Sequence, residues 1–125
     1  MKNTLGKEER LKSKKLIEKL YEEGSSVKSF PLRLVYVQTE HTSDFPVQAA
    51  FSVPKRMFKK AVERNRIKRL LREAYRLDKH IVYETVTDSF IFMITFIGKE
   101  EPTFIDTKRS MNKLLHLFVK EVEEI

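Results

Sequence analysis

Positions 88–98 read Asp-Ser-Phe-Ile-Phe-Met-Ile-Thr-Phe-Ile-Gly, apolar at nearly every step. A strand with one wet face alternates apolar and polar residues. A strand apolar throughout is buried on both faces and needs cover above and below. The chain must therefore build a sheet around this segment and pack layers against it. With 125 residues, it is expected to do so as one domain spanning positions 1–125. The apolar run over 90–97 is far too short to span a bilayer. No apolar stretch follows Met1–Lys7, so no secretory signal is expected and the expected location is cytoplasmic.

The remaining elements follow from periodicity. Leu11, Leu16, Ile17, Leu20 and Tyr21 recur at near-helical spacing and predict a helix over 8–23, closed by Gly24. A strand is expected over 30–39, with Leu32, Leu34 and Tyr36 on one face and Arg33, Val35 and Val37 on the other. After a turn at 41–44, a second strand over 47–53 can pair with it as a hairpin, and Pro54 stops that strand. A helix is expected over 60–77. Positions 78–87 stay open between helix extension, loop and short strand. Thr103 is the expected N-cap of a last helix running to Glu123, with Met111, Leu114, Leu115, Phe118 and Val122 as its core stripe. The order is α-β-β-α-β-α, or α-β-β-(β)-α-β-α with one further strand. The fold class is α+β, one small mixed sheet with helices packed on it.

The formal net charge is +7, which points to a polyanionic partner. Its location says more. Ten basic residues and only two acidic ones, Glu63 and Glu73, lie between Lys55 and Arg76, giving that stretch +8. The rest of the chain has 15 basic and 16 acidic residues, or −1. At about 100° per residue, Ile67, Leu70, Leu71, Ala74 and Tyr75 form one apolar arc. Asn65, Arg66, Lys68, Arg69, Arg72 and Arg76 share the other side with Glu73. A solvated helix face usually mixes signs; this one repels itself, so a partner that relieves the repulsion is expected. Its apolar arc is used inside the fold, which leaves nothing to enter lipid. Nucleic acid is therefore the expected partner, and no membrane is expected. Arginine suits bidentate phosphate contacts and stacking on bases.

The string Ala61-Val62-Glu63-Arg64-Asn65-Arg66-Ile67-Lys68-Arg69-Leu70-Leu71-Arg72-Glu73 resembles the signature of the bacterial ribonuclease P protein component. The resemblance extends to Lys12…Ile17…Tyr21…Gly24, to Phe51-Ser52-Val53-Pro54-Lys55-Arg56 and to Ser110…Leu114-Leu115…Phe118. The sequence departs from the family pattern at Ile17, where an aromatic is common, and at Phe58-Lys59-Lys60, where a Gly-Asn pair is usual. The resemblance implies a small protein that joins a large catalytic RNA and helps remove the 5′ leader of precursor tRNA. The RNA carries the chemistry and the holoenzyme requires Mg2+. It also implies a left-handed β-α-β crossover around the basic helix, where the general rule gives a right-handed one. Residues assigned to catalytic-RNA binding on this basis are Lys60, Arg64, Asn65, Arg66, Lys68, Arg69, Arg72 and Arg76. Those assigned to the leader are Lys12, Ile17, Tyr21, Tyr36, Phe51, Lys55 and Arg56. Tyr36 and Phe51, on strands expected to be adjacent, would line a groove with Tyr21.

No protein catalytic residues are expected. Cysteine is absent, and three glycines leave no Gly-rich phosphate loop. His41, His80 and His116 show no pairing by spacing, and the carboxylates form no Asp-x-Asp pair for a two-metal site. No metal-binding motif and no obligate protein partner are evident. Two other classes remain open: a non-catalytic RNA-binding module, such as a ribosomal or RNA-chaperone protein, and a stand-alone nuclease.

Overall fold

The computed structural model describes residues 5–123; positions 1–4, on which the secretory-signal expectation partly rests, lie outside them. Beyond a 3-10 turn at Lys7–Glu9, the elements are α1 (Lys14–Glu23), β1 (Ser25–Ser29), β2 (Leu32–Gln38), β3 (Val47–Ser52), α2 (Ala61–Asp78), α3 (His80–Tyr83), β4 (Phe90–Phe96) and α4 (Phe104–Glu123). The four strands form a single mixed sheet in the order β1-β2-β4-β3. As its composition requires, β4 is interior. It runs antiparallel to β2, with Leu34 opposite Ile94, and parallel to β3, with Ala49 opposite Phe92. The β3-α2-β4 crossover therefore joins neighbouring parallel strands.

The expected hairpin of the 30–39 and 47–53 strands does not form. β4 inserts between them and takes the hydrogen bonds of both. The further strand lies over Ser25–Ser29 and pairs with β2 across a tight turn at Phe30-Pro31. Only Val27 of that segment is buried, so apolar alternation could not reveal it.

Cover arrives on both faces of β4. On one, Phe92 and Ile94 meet Ile67, Leu71 and Tyr75 of α2 and Leu114 and Phe118 of α4. On the other, Ile91 and Met93 meet Leu11 and Leu20 beneath α1. The first helix starts later than its periodicity suggests, at Lys14, with the Ser13 hydroxyl accepting from the Leu16 N–H at 3.3 Å. The preceding residues are instead drawn to the sheet edge, where the Leu11 N–H donates to the Ala49 carbonyl at 2.9 Å. Gly24 ends α1 in extended conformation. A Cβ there would collide with the Leu20 carbonyl and the Val35 side chain, so close approach of β2 requires the glycine. At α4, the Thr103 hydroxyl accepts from the Asp106 N–H at 3.1 Å. No helix among the described residues is long and apolar enough to cross a membrane.

Candidate nucleic-acid interface

α2 begins without a side-chain cap at Lys60. Arg64, one turn further on, instead ties down the loop before the helix, its Nη1 donating to the carbonyls of Phe58 and Lys59 at 2.8 Å each. Phe58 is buried against Phe96, and this contact fixes the loop from which the helix starts. Ile67, Leu71, Ala74 and Tyr75 are fully buried, whereas Leu70 is only half-buried at the rim of the apolar arc. Opposite them, Lys60, Asn65, Arg66, Arg69 and Arg72 are exposed, while Arg64, Lys68 and Arg76 are half-buried. Lys55 and Arg56 are exposed on the turn after Pro54.

Part of this charge is already matched. Arg66 forms a fork with Glu101, Nε to Oε1 at 2.5 Å and Nη2 to Oε2 at 3.3 Å. Arg76 donates to both oxygens of Glu73. That hydrogen bonding holds the Glu73 carboxyl below its usual range and the Arg76 guanidinium above its own. Among the described residues, Lys55, Arg56, Lys59, Lys60, Lys68, Arg69 and Arg72 make no side-chain hydrogen bond or ion pair with the protein.

Between α2 and the outer edge of β3 runs a groove of about 330 Å³, lined by Arg10, Leu11, Lys12, Ala49, Ala50, Phe51, Lys68 and Arg72. It brings together residues that the sequence assigned to different tasks: Lys12 and Phe51 from the leader set, Lys68 and Arg72 from the catalytic-RNA set. Phe51 is half-buried, with its ring edge-on to Tyr75 at 5.6 Å. One flank of the groove is thus cationic and the floor carries an aromatic. Single-stranded nucleic acid is held by this combination, phosphates on the charges and bases on the ring.

The expected Tyr21–Tyr36–Phe51 groove is not assembled. β4 separates β2 from β3, so Tyr36 and Phe51 are not on adjacent strands. Tyr36 is 7% exposed and packs edge-on against Phe118 at 4.8 Å. Its hydroxyl donates to Glu121 at 2.7 Å. Burial, together with that carboxylate, pushes the phenol up to about 12. Tyr21 sits on α1 and is 75% exposed, outside the groove lining. Ile17 is half-buried in the cluster beneath α1.

Arg10 escaped the sequence reading. Its signal was weak: one more cation in an N-terminal segment already rich in them. The histidines stay local. His80 Nδ1 lies 3.1 Å from the Leu77 carbonyl and His116 Nδ1 lies 2.8 Å from that of Asn112. His41 is bracketed by Ser43 and Pro46. Among the described residues, no group of three or more His, Cys, Asp or Glu side chains is placed to hold a metal ion.

Residues 5–119 match the family model described as Ribonuclease P. A relative from Porphyromonas gingivalis, named ribonuclease P protein component, is 39% identical over 115 residues, 89% of this chain and 83% of its own. One of the same name from Chlorobium phaeobacteroides is 35% identical over 127 residues, covering 91% and 87%. The solved Staphylococcus aureus RNase P protein superposes with a TM-score of 0.69 at 20% identity, covering 88% of this chain and 94% of that one. The Thermotoga maritima RNase P protein gives 0.68 at 21% identity, covering 86% and 94%. At those identities the structural likeness speaks for the fold.

Proposed function

Because this chain belongs to the ribonuclease P protein family, we propose that it is the protein subunit of ribonuclease P, binding the catalytic RNA and the 5′ leader of precursor tRNA. The RNA hydrolyses the phosphodiester and frees the mature 5′ end, and the complex works in the cytoplasm. The observation that carries this reading is the continuity of the cationic α2 face with the groove at the β3 edge.

The contribution of the protein is electrostatic first. A catalytic RNA and a tRNA repel each other. Cations on the α2 face displace counterions from phosphates, and the gain depends steeply on salt. Arg69 and Arg72 offer forked donors to phosphate oxygens. The second contribution is to hold a single strand. Lys12, Lys68 and Arg72 meet successive phosphates while the Phe51 ring offers a surface for a base to stack on. Leader contacts are therefore assigned to Lys12 and Phe51, extended by Lys55 and Arg56 at the end of β3. Tyr36, enclosed beneath α4, is left out. The magnesium ions of the holoenzyme are not assigned to this chain, whose described residues do not fit a metal site.

The test is reconstitution with a bacterial catalytic RNA at low magnesium, scored by leader removal from precursor tRNA. The expected result is strong stimulation by the protein. RNA binding without stimulation would point to a general RNA-binding module. Cleavage by RNA-free protein would point to a protein nuclease.

A further inference from the structure

The groove has two walls of different character. Lys68 and Arg72 stand on α2, a helix seated in the core through Ile67 and Leu71. Arg10 and Lys12 stand on a strap, residues 5–12, whose only regular structure is one 3-10 turn and a single bridge from Arg10 to Ala49. Its bonds to the sheet include Leu11 N–H to the Ala49 carbonyl at 2.9 Å and Gln48 Nε2 to the Glu8 carbonyl at 3.1 Å.

Between these contacts the strap sends one charged side chain inward. Glu9 is 2% exposed, and its Oε2 accepts from Lys79 Nζ at 2.6 Å and from the Tyr83 hydroxyl at 2.6 Å. Its Oε1 faces the Gly6 N–H at 3.2 Å. Lys79 is equally buried, with its ammonium 5.4 Å from the Tyr83 ring centre. A charge buried this deeply persists only with its counter-charge, and removing one member strands the other. Lys79 caps the C-terminus of α2, the helix that supplies the opposite wall. The ion pair therefore ties one wall of the groove to the other. None of this serves the α2 face itself.

We infer that Glu9 is a positioning residue for RNA: through its buried pair with Lys79 it holds the strap in place and sets Arg10 and Lys12 across the groove from Lys68 and Arg72. This rests on the single-strand reading of the groove given above. A strap with so little regular structure opens locally before the domain unfolds. Loss of the pair should therefore spare the α2 face and spoil the groove.

The experiment measures binding of a labelled single-stranded RNA oligonucleotide and, separately, of the structured catalytic RNA. The proteins are wild type, Glu9→Gln, Lys79→Met, the double variant, Lys12→Ala and Lys68→Ala. Each of the Glu9 and Lys79 singles should weaken single-strand binding about tenfold, equivalent to about 1.4 kcal/mol, and speed hydrogen exchange over 6–11. Catalytic-RNA affinity should stay within about twofold. The double variant leaves no stranded charge but also no pair, so it should fold and still bind single strands more weakly, with faster exchange over 6–11. Singles that bind and exchange like wild type overturn the inference, as does equal loss for both RNAs. If the singles fail to fold, the double decides: a folded double that binds single strands like wild type overturns it. Should Lys12→Ala and Lys68→Ala leave single-strand binding intact, the groove reading itself is wrong. Should they weaken it while the Glu9 variants do not, only the positioning role is lost.

Discussion

Two arginines five residues apart on α2 should respond to alanine in opposite ways. Arg69 is exposed and makes no side-chain hydrogen bond or ion pair with the protein among the described residues, whereas Arg64 donates to two carbonyls at the start of its own helix. Suppose all seven unpartnered cations between Lys55 and Arg72 meet phosphates. The slope of log affinity against log salt is then about −6, at about 0.9 per phosphate, and affinity falls between 10³- and 10⁴-fold from about 50 to 200 mM salt. Arg69→Ala should make that slope shallower by about 0.9 and leave thermal unfolding unchanged. Arg64→Ala removes two charge-assisted hydrogen bonds. One of the two carbonyls is part-buried and the other exposed, so the loss should sit near the low end of the scale, about 1.5–3 kcal/mol in all. For a domain of this size, that corresponds to a fall in Tm of roughly 4–10 °C. Titrating labelled catalytic RNA at several potassium chloride concentrations, with calorimetry on the same proteins, reads both effects. A wild-type slope shallower than about −3 would refute the phosphate assignment. An unchanged Tm for Arg64→Ala would refute its role at the helix start.

Leu71→Ala removes a fully buried side chain between α2 and the sheet and should cost about 2–5 kcal/mol in urea unfolding; half-buried Leu70→Ala should cost clearly less. Tyr36→Phe deletes the bond to Glu121 and should cost about 0.5–1.5 kcal/mol while leaving RNA binding intact, in contrast to Lys12→Ala. In an alkaline titration followed by phenolate absorbance, Tyr36 should ionise near 12, and Tyr75 and Tyr83 also above the usual tyrosine range. The raised Tyr36 value means that the fold favours the neutral phenol. That stabilisation is complete below about pH 10, the unfolded value, and is lost as pH climbs through 12. Chelating divalent ions should leave the Tm of the isolated protein unchanged, since its described residues offer no metal cluster.

Composition and period carried the reading a long way, and its failures have physical causes. The apolar 88–98 run could only be interior, and it is. The one-sided charge of 60–77 could only be a surface, and it is. Periodicity, however, says which face a residue takes and nothing about which strand lies beside which. The hairpin error followed from that, and with it the neighbourhood assigned to Tyr36 and Phe51. A strand such as Ser-Ser-Val-Lys-Ser is held by its backbone ladder with β2, and side-chain pattern does not report a ladder. Leu70 and Leu71 look alike on a wheel until the neighbouring elements decide which is covered. Glu9 and Lys79 are hardest of all: alone, each resembles any surface charge, and only the return of the strap over a distance of 70 residues makes them a pair.

The interior place of β4 also bears on synthesis. β2 and β3 each need it as a partner, yet it is made after both and after the whole cationic helix. As the chain leaves the ribosome, only the β1–β2 turn can close early. The strands around it wait with open edges, and a +8 segment is exposed beside ribosomal RNA before the core that orients it exists. Closure must wait for 90–96 and then for the core residues of α4, and it joins partners more than 40 residues apart in sequence, a non-local pairing that is intrinsically slow. A stalled or truncated product ending before Phe90 would therefore be a basic, open-edged chain and not a smaller version of this domain.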